Sequence, residues 1–150
     1  MAKVGRAAFN SSRMRVETLT GNKTIATAET GEVYLANAAR EVTLPAAQDG
    51  AYFKFIVNTK FSDNTDLVIS ASGDAVFKGG ILIVAAGSVN NVSDVAESAA
   101  GNNTLTISGG SGEAVLQGTY VECICDGTDW AVTGTALVEG NNGNAAFSTV

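Results

Sequence analysis

Two cysteines, two pairs of aspartates and three aromatic side chains are the residues of this 150-residue chain whose types and spacing could do chemistry. Cys123 and Cys125 lie two apart in the alternating run Tyr120-Val121-Glu122-Cys123-Ile124-Cys125. On a strand both point to one face with Cα atoms about 6.5 Å apart, near the upper limit for a disulfide. Two thiolates do not complete a tetrahedral metal site, and the chain has no histidine to help them. Small, reduced core residues are the expected reading.

Asp63/Asp66 and Asp126/Asp129 could in principle serve as a glycosidase pair or a Ca²⁺ loop. No D-x-[DN]-x-[DN]-G run ending in Glu supports the second use. Asp in a turn also has a reason of its own, because its carboxylate accepts hydrogen bonds from nearby backbone N–H groups. Turn formation is the expectation for both pairs. Gly109-Gly110-Ser111-Gly112 lacks the Lys-Ser/Thr of a phosphate loop and is expected to be a turn between strands. Trp130 with Tyr120 and Tyr52 could form a sugar-stacking platform, although a lone Trp beside a hairpin is more often core. Without His, the Ser-His and Cys-His nucleophile pairs and imidazole metal ligands are absent. No catalytic, cofactor-binding or metal residue is therefore assigned, and the chain is not expected to be an enzyme.

The elements that must carry these residues are β nearly throughout. Phe53, Phe55 and Val57 alternate with Tyr52, Lys54 and Ile56, and Leu105 and Ile107 alternate with Thr104, Thr106 and Ser108. Asp126-Gly127-Thr128-Asp129 predicts a tight hairpin between Cys125 and Trp130. Pro45 closes a strand over Glu41–Leu44. Val92–Ala100 fits either a short helix, with Asn91 as its cap and Gly101 at its end, or a long loop. An internal repeat matches Asn64–Gly79 to Asn103–Gly118, with a fainter copy running from Thr24 to Leu35. Each copy is strand, Ser/Thr-Gly-acid turn, strand, and buries one face only, so three copies must stack to make a core. An antiparallel, jelly-roll-like β-sandwich is predicted, with a β-trefoil as the alternative.

Leu, Ile, Val and Phe supply 37 of the 150 residues, enough for one folded domain. The net charge of −6 is unevenly divided. Residues 1–28 carry Lys3, Arg6, Arg13, Arg15 and Lys23 against Glu17, a net of +4, while residues 29–150 carry 4 bases against 14 acids, a net of −10. An acidic body repels nucleic acid and anionic lipid, and neither is an expected partner. No apolar segment of about 20 residues is present, the longest run being Ile81–Ala86, and the N-terminus lacks an export signal's apolar core of about 7–15 residues. Synthesis in a cytoplasm is expected. The chain divides into a basic N-terminal arm (1–28), a β-sandwich domain (29–138) and a flexible C-terminal tail (139–150) on which Phe147 and Val150 could dock. Extended contact with a partner and a frayed, solvated terminus fit the arm equally well.

Thr30-Gly31-Glu32-Val33-Tyr34-Leu35-Ala36-Asn37, Val42-Thr43-Leu44-Pro45-Ala46-Ala47 and Gly50-Ala51-Tyr52-Phe53-Lys54-Phe55-Ile56-Val57 resemble a pattern of small β-sandwich structural proteins of tailed bacteriophages. Gly118–Glu122 and the hairpin Asp126-Gly127-Thr128-Asp129-Trp130-Ala131-Val132-Thr133-Gly134-Thr135 are similar to the same group, so the resemblance covers about residues 24–137. It implies a capsid decoration, or cement, protein: a homotrimer on the exterior of the virion's capsid, made in the host cytoplasm, whose partner is the major capsid protein. The charge division then makes Lys3, Arg6, Arg13 and Arg15 the candidate capsid contacts. The alternative is a carbohydrate-binding or adhesive virion module with glycans as partners, marked by Trp130 or Tyr120 exposed in a groove. A carboxylate-dependent glycan hydrolase is a third reading. No cofactor is expected.

Overall fold

The structure is a computed structural model that describes residues 14–61, 65–86, 93–140 and 144–149. Within these residues the chain forms β1 (Arg15–Leu19), β2 (Lys23–Thr24), β3 (Glu32–Ala36), β4 (Arg40–Thr43), β5 (Tyr52–Val57), β6 (Asp66–Ser70), β7 (Phe77–Ala86), β8 (Ser93–Glu97), β9 (Thr104–Ser108), β10 (Tyr120–Cys125), β11 (Trp130–Glu139) and β12 (Asn144–Ser148). A large sheet runs β1-β3-β5-β10-β11-β7-β8 and a small one β12-β9-β6-β4-β2.

The first six strands alternate between the sheets. β1, β3 and β5 lie parallel in one, β2, β4 and β6 parallel in the other. Parallel neighbours in one sheet need a crossover. Here the crossover is itself a strand of the facing sheet, so short turns suffice and no helix is required. Beyond β6 the pairing turns mostly antiparallel: β9 against β6, β12 against β9, β10 against β5 and β11, and β8 against β7, with β7 and β11 parallel. The expected all-β, two-sheet architecture is present. Its sheets, however, are mixed, correcting the antiparallel, jelly-roll-like order, and neither closes into the barrel that a trefoil needs.

Alternating apolar residues put one face of each sheet inward. Tyr34, Phe53, Phe55, Phe77, Val121 and Trp130 from the large sheet meet Val42, Leu67, Ile69, Leu105 and Ile107 from the small sheet in one core. The Tyr34 and Phe55 rings stack 5.5 Å apart, and Phe53 tilts against Trp130 at 5.8 Å.

The repeat has a structural meaning. Thr24, β6 and β9 lie in the small sheet, and the chain after each turn enters the large sheet at β3, β7 and β10, so each copy is one crossing of the sandwich. The two best copies pair directly, Val68 opposite Thr106 at the centre of an antiparallel ladder. The hairpin at Asp126–Asp129 forms as expected: Asp126 Oδ1 accepts from Thr128 N at 2.9 Å and Asp129 N at 2.8 Å, and Gly127 takes φ 95°.

One segment departs from its reading. Ser93–Glu97, expected as part of a helix or loop, is edge strand β8, paired in register with Gly80–Val84. A long apolar β7 offering an open ladder outweighs a marginal capping signal. The arm and tail readings also acquire structure: residues 15–24 supply β1 and β2, one to each sheet, and Asn144–Ser148 pairs with β9 while Phe147 packs edge-on against Phe77 at 6.2 Å.

Candidate functional site

β1 is an edge strand whose Arg15, Glu17 and Leu19 share the inner face with Glu32, Tyr34 and Ala36 of β3. Across the gap Lys23 of β2 occupies an inward position opposite Val42. Polar groups from both sheets therefore meet at the open edge of the sandwich. Lys23 Nζ donates to Glu17 Oε1 at 2.7 Å, to Glu17 Oε2 at 2.8 Å and to Glu29 Oε1 at 2.8 Å, and sits 4.8 Å over the Tyr34 ring. Arg15 Nη1 lies 2.8 Å from Glu32 Oε1, and the Tyr34 hydroxyl donates to Glu32 Oε2 at 3.2 Å. The Ala26 N–H reaches Glu29 Oε2 at 2.7 Å.

Burial acts against the Lys23 ammonium, but hydrogen bonds to Glu17 and Glu29 outweigh it and hold its pKa above the lysine range. The Lys23 hydrogen bond, then the Ala26 N–H, hold the Glu29 carboxyl below the usual carboxylate value. Burial, then the carboxylates of Glu29 and Glu32, push the Tyr34 phenol up. Glu17, Glu29 and Glu32 each offer an oxygen within 4.8 Å of the others, a spacing that suits a divalent ion. Lys23 and Arg15 already supply cations there, so the cluster works as an ion-pair clasp between the sheets.

The other candidates sort by geometry. Lys3, Arg6 and Arg13 lie outside the described residues. Arg15 faces inward and is bound to Glu32, although its side chain remains 79% exposed. Asp63 lies outside the described residues, and Asp66 opens β6. Asp126 and Asp129 hold the hairpin, and Lys78 ties both of them to β7 at 3.6 and 2.7 Å. Backbone N–H groups depress the Asp126 pKa, and Lys78, then the Val76 N–H, depress that of Asp129. These are turn-stabilising roles. Cys123 and Cys125 are buried free thiols, and burial pushes Cys123 up, away from the reactive thiolate. Gly109–Gly112 falls in the connection from β9 to β10, as expected.

The aromatic platform is not assembled. Trp130 is fully buried on the inner face, whereas Tyr52 and Tyr120 point outward, where they join Lys54 and Glu122. Lys54 Nζ lies 2.8 Å from Glu122 Oε1 and 4.9 Å over the Tyr120 ring, and the Tyr52 hydroxyl donates to Glu122 Oε1 at 3.2 Å.

Two features escaped the sequence reading. The clasp did, because Lys23 counts only as arm charge until two sheets bring Glu17 and Glu29 to it. The apolar outer face of the large sheet did too. In register, Leu35, Ile56, Tyr120, Thr135 and Leu82 stand side by side across five strands with no charge among them. Its signal was present: Ile81–Ala86 is continuously apolar where a half-buried strand would alternate.

No protein-family model matches the chain, and neither the curated proteins nor the solved structures compared with it give a significant match.

Proposed function

We propose that this chain is a non-enzymatic virion protein that decorates the exterior of a tailed-phage head as a trimer and cements its shell. The observation that supports this reading best is the anchorage of the basic N-terminal stretch. Lys3, Arg6 and Arg13 precede β1, and β1 is fixed to an acidic body through a seven-stranded sheet and the Arg15–Glu32 and Lys23–Glu17 ion pairs. Tension on a tether joined there passes into both sheets. The acidic remainder disfavours nucleic acid and directs contact to the arm. A protein that binds the expanded shell and not its precursor stabilises the shell by mass action, and three arms per trimer multiply modest individual affinities.

The test is co-sedimentation of the purified protein with expanded shells and with unexpanded precursor shells. Full-length protein is expected to pellet with expanded shells, and a variant lacking residues 2–13 to stay in the supernatant. Absence of full-length binding, or unchanged occupancy by the truncated form, overturns the reading.

A further inference from the structure

We infer that the outer face of the large sheet is where copies of this chain meet. Five large hydrophobic side chains are exposed among the described residues. Met14 precedes β1, and the four within strands, Val16 (61%), Leu82 (43%), Val95 (55%) and Ile124 (48%), all point outward from this sheet. Leu82 and Val95 are direct cross-strand partners at one edge, and Ile124 lies opposite Tyr52 nearer the centre.

The small sheet gives the contrast. A rung across its outer face reads Thr24, Thr43, Ser70, Thr104 and Ser148, all hydroxyl side chains, with Thr104 buried against Ser70 at 3.2 Å. The large sheet instead presents an uncharged rung, Thr18, Leu35, Ile56, Tyr120, Thr135, Leu82 and Val95, across all seven of its strands.

Size and charge both select a second copy as the occupant. Seven strands about 4.8 Å apart, each with two to five outward residues about 6.6 Å apart, make a face of roughly 700 Å² in plan, close to the roughly 800 Å² per partner of a stable interface. Residues 29–150 carry a net −10, so copies repel over most of their surface. At the centre of this face Lys54 and Glu122 neutralise each other at 2.8 Å, and near the rim stand Lys78, Glu97 and Glu139, of which Lys78 pairs with Asp129 and Glu139 with Lys60. Acidic bodies therefore meet there with least repulsion. The inference concerns where copies meet and does not rest on the number of copies in the reading above.

The test is solution mass by light scattering for the full chain, L82K, I124K and, as a control on the small sheet's outer face, V68K. Wild type and V68K are expected at a multiple of the subunit mass, with L82K and I124K at one subunit and unchanged circular dichroism. In a second measurement, L82C on this face is expected to form an intermolecular crosslink under mild oxidation, the natural cysteines being buried. A single-subunit wild type, or L82K and I124K that stay associated, overturns the inference. So does a wild type that becomes associated only when residues 2–13 are deleted, which would assign the face to the chain's own N-terminus. Shell binding by a single-subunit protein would refute this interface and leave decoration standing. Association through this face without shell binding would do the reverse.

Discussion

The Lys23 ammonium lies 2.7 Å from the Glu17 carboxylate, a contact that joins the edge strand of one sheet to the edge strand of the other. Lys23 is 20% exposed and Glu17 41%, so the pair is shielded at the lysine end, and the same nitrogen also holds Glu29, which is 24% exposed. Replacing it by an apolar chain of similar length leaves two carboxylates facing each other. Lys23→Met is expected to lower stability by about 1–2 kcal/mol, read as a shifted urea midpoint with an unchanged slope. An unshifted midpoint would show that the clasp holds nothing.

The same network fixes the direction of the pH response. Glu29, Glu122, Asp126 and Asp129 all have folded pKa values below their ordinary ones. Their contribution is complete above the unfolded values, which lie near 3.8 and 4.5, and is lost as pH falls through the lower folded values. Lys23 and Lys54 are raised above 10.5, so theirs is complete below that value and lost as pH climbs through the folded one. With no histidine in the chain, stability is expected to be flat between about pH 5 and 9, to fall below that range as the carboxylates protonate, and to fall above it first through Cys123, raised by burial, and then through the lysines. Urea midpoints across pH 3–11 check this, and Lys23→Met should show a shallower acid limb because Glu29 loses its main partner.

Truncations should separate the basic N-terminal stretch from the sandwich. Removing residues 2–13 leaves β1 in place and is expected to leave the melting temperature unchanged. Removing residues 2–20 deletes β1, takes buried Leu19 out of the core and uncovers Val33, which Val16 flanks in register. Loss of one buried leucine alone costs about 2–5 kcal/mol, so this form is expected to melt far lower or not to fold. Fluorescence of Trp130, the one tryptophan, reports either outcome. Equal melting by both forms would show that β1 adds nothing to the body.

How much of this could be read beforehand follows from the range of each interaction. Local signals carried well: the Asp126–Asp129 hairpin, the strands around Phe53 and Leu105, and the burial of Cys123, Cys125 and Trp130 all depend on neighbours a few residues away. Strand direction did not carry, because nothing in the alternation of Val33, Leu35 or Lys54 says whether a partner strand runs parallel. The repeat hinted at three crossings of a sandwich, and its strands Leu67–Ser70 and Leu105–Ser108 do pair, yet the parallel coil of β1 to β6 appears only with the sheets assembled. Ser93–Glu97 shows the converse, a segment with weak signals of its own made a strand by the edge of β7. The clasp joins residues that are unremarkable singly. The outer apolar face was written in Ile81–Ala86, a run too short for a membrane-spanning helix but whose lack of alternation marks a strand apolar on both faces.

In the large sheet Gly134 stands opposite Val121 in the ladder between β10 and β11, with backbone where a side chain would go. A Cβ built there would lie 2.2 Å from the Tyr120 carbonyl oxygen and 3.0 Å from the Val121 Cα, both backbone atoms that cannot rotate away. Gly134→Ala must therefore part the two strands that carry the buried Cys123, Val132 and Trp130. It is expected to cost about 2–4 kcal/mol, the range of forced core insertions and broken ladders. Gly127 offers the comparison. Its φ is 95°, but its nearest neighbour, Asp49 Cβ, would lie 3.5 Å from an added Cβ, so only conformational strain opposes a side chain. Gly127→Ala is expected to cost about 1–2 kcal/mol and to leave the Trp130 emission unchanged. Melting temperatures ordered wild type, Gly127→Ala, Gly134→Ala from high to low would bear out the packing, and a Gly134→Ala protein as stable as wild type would mean that β10 and β11 are not in this register.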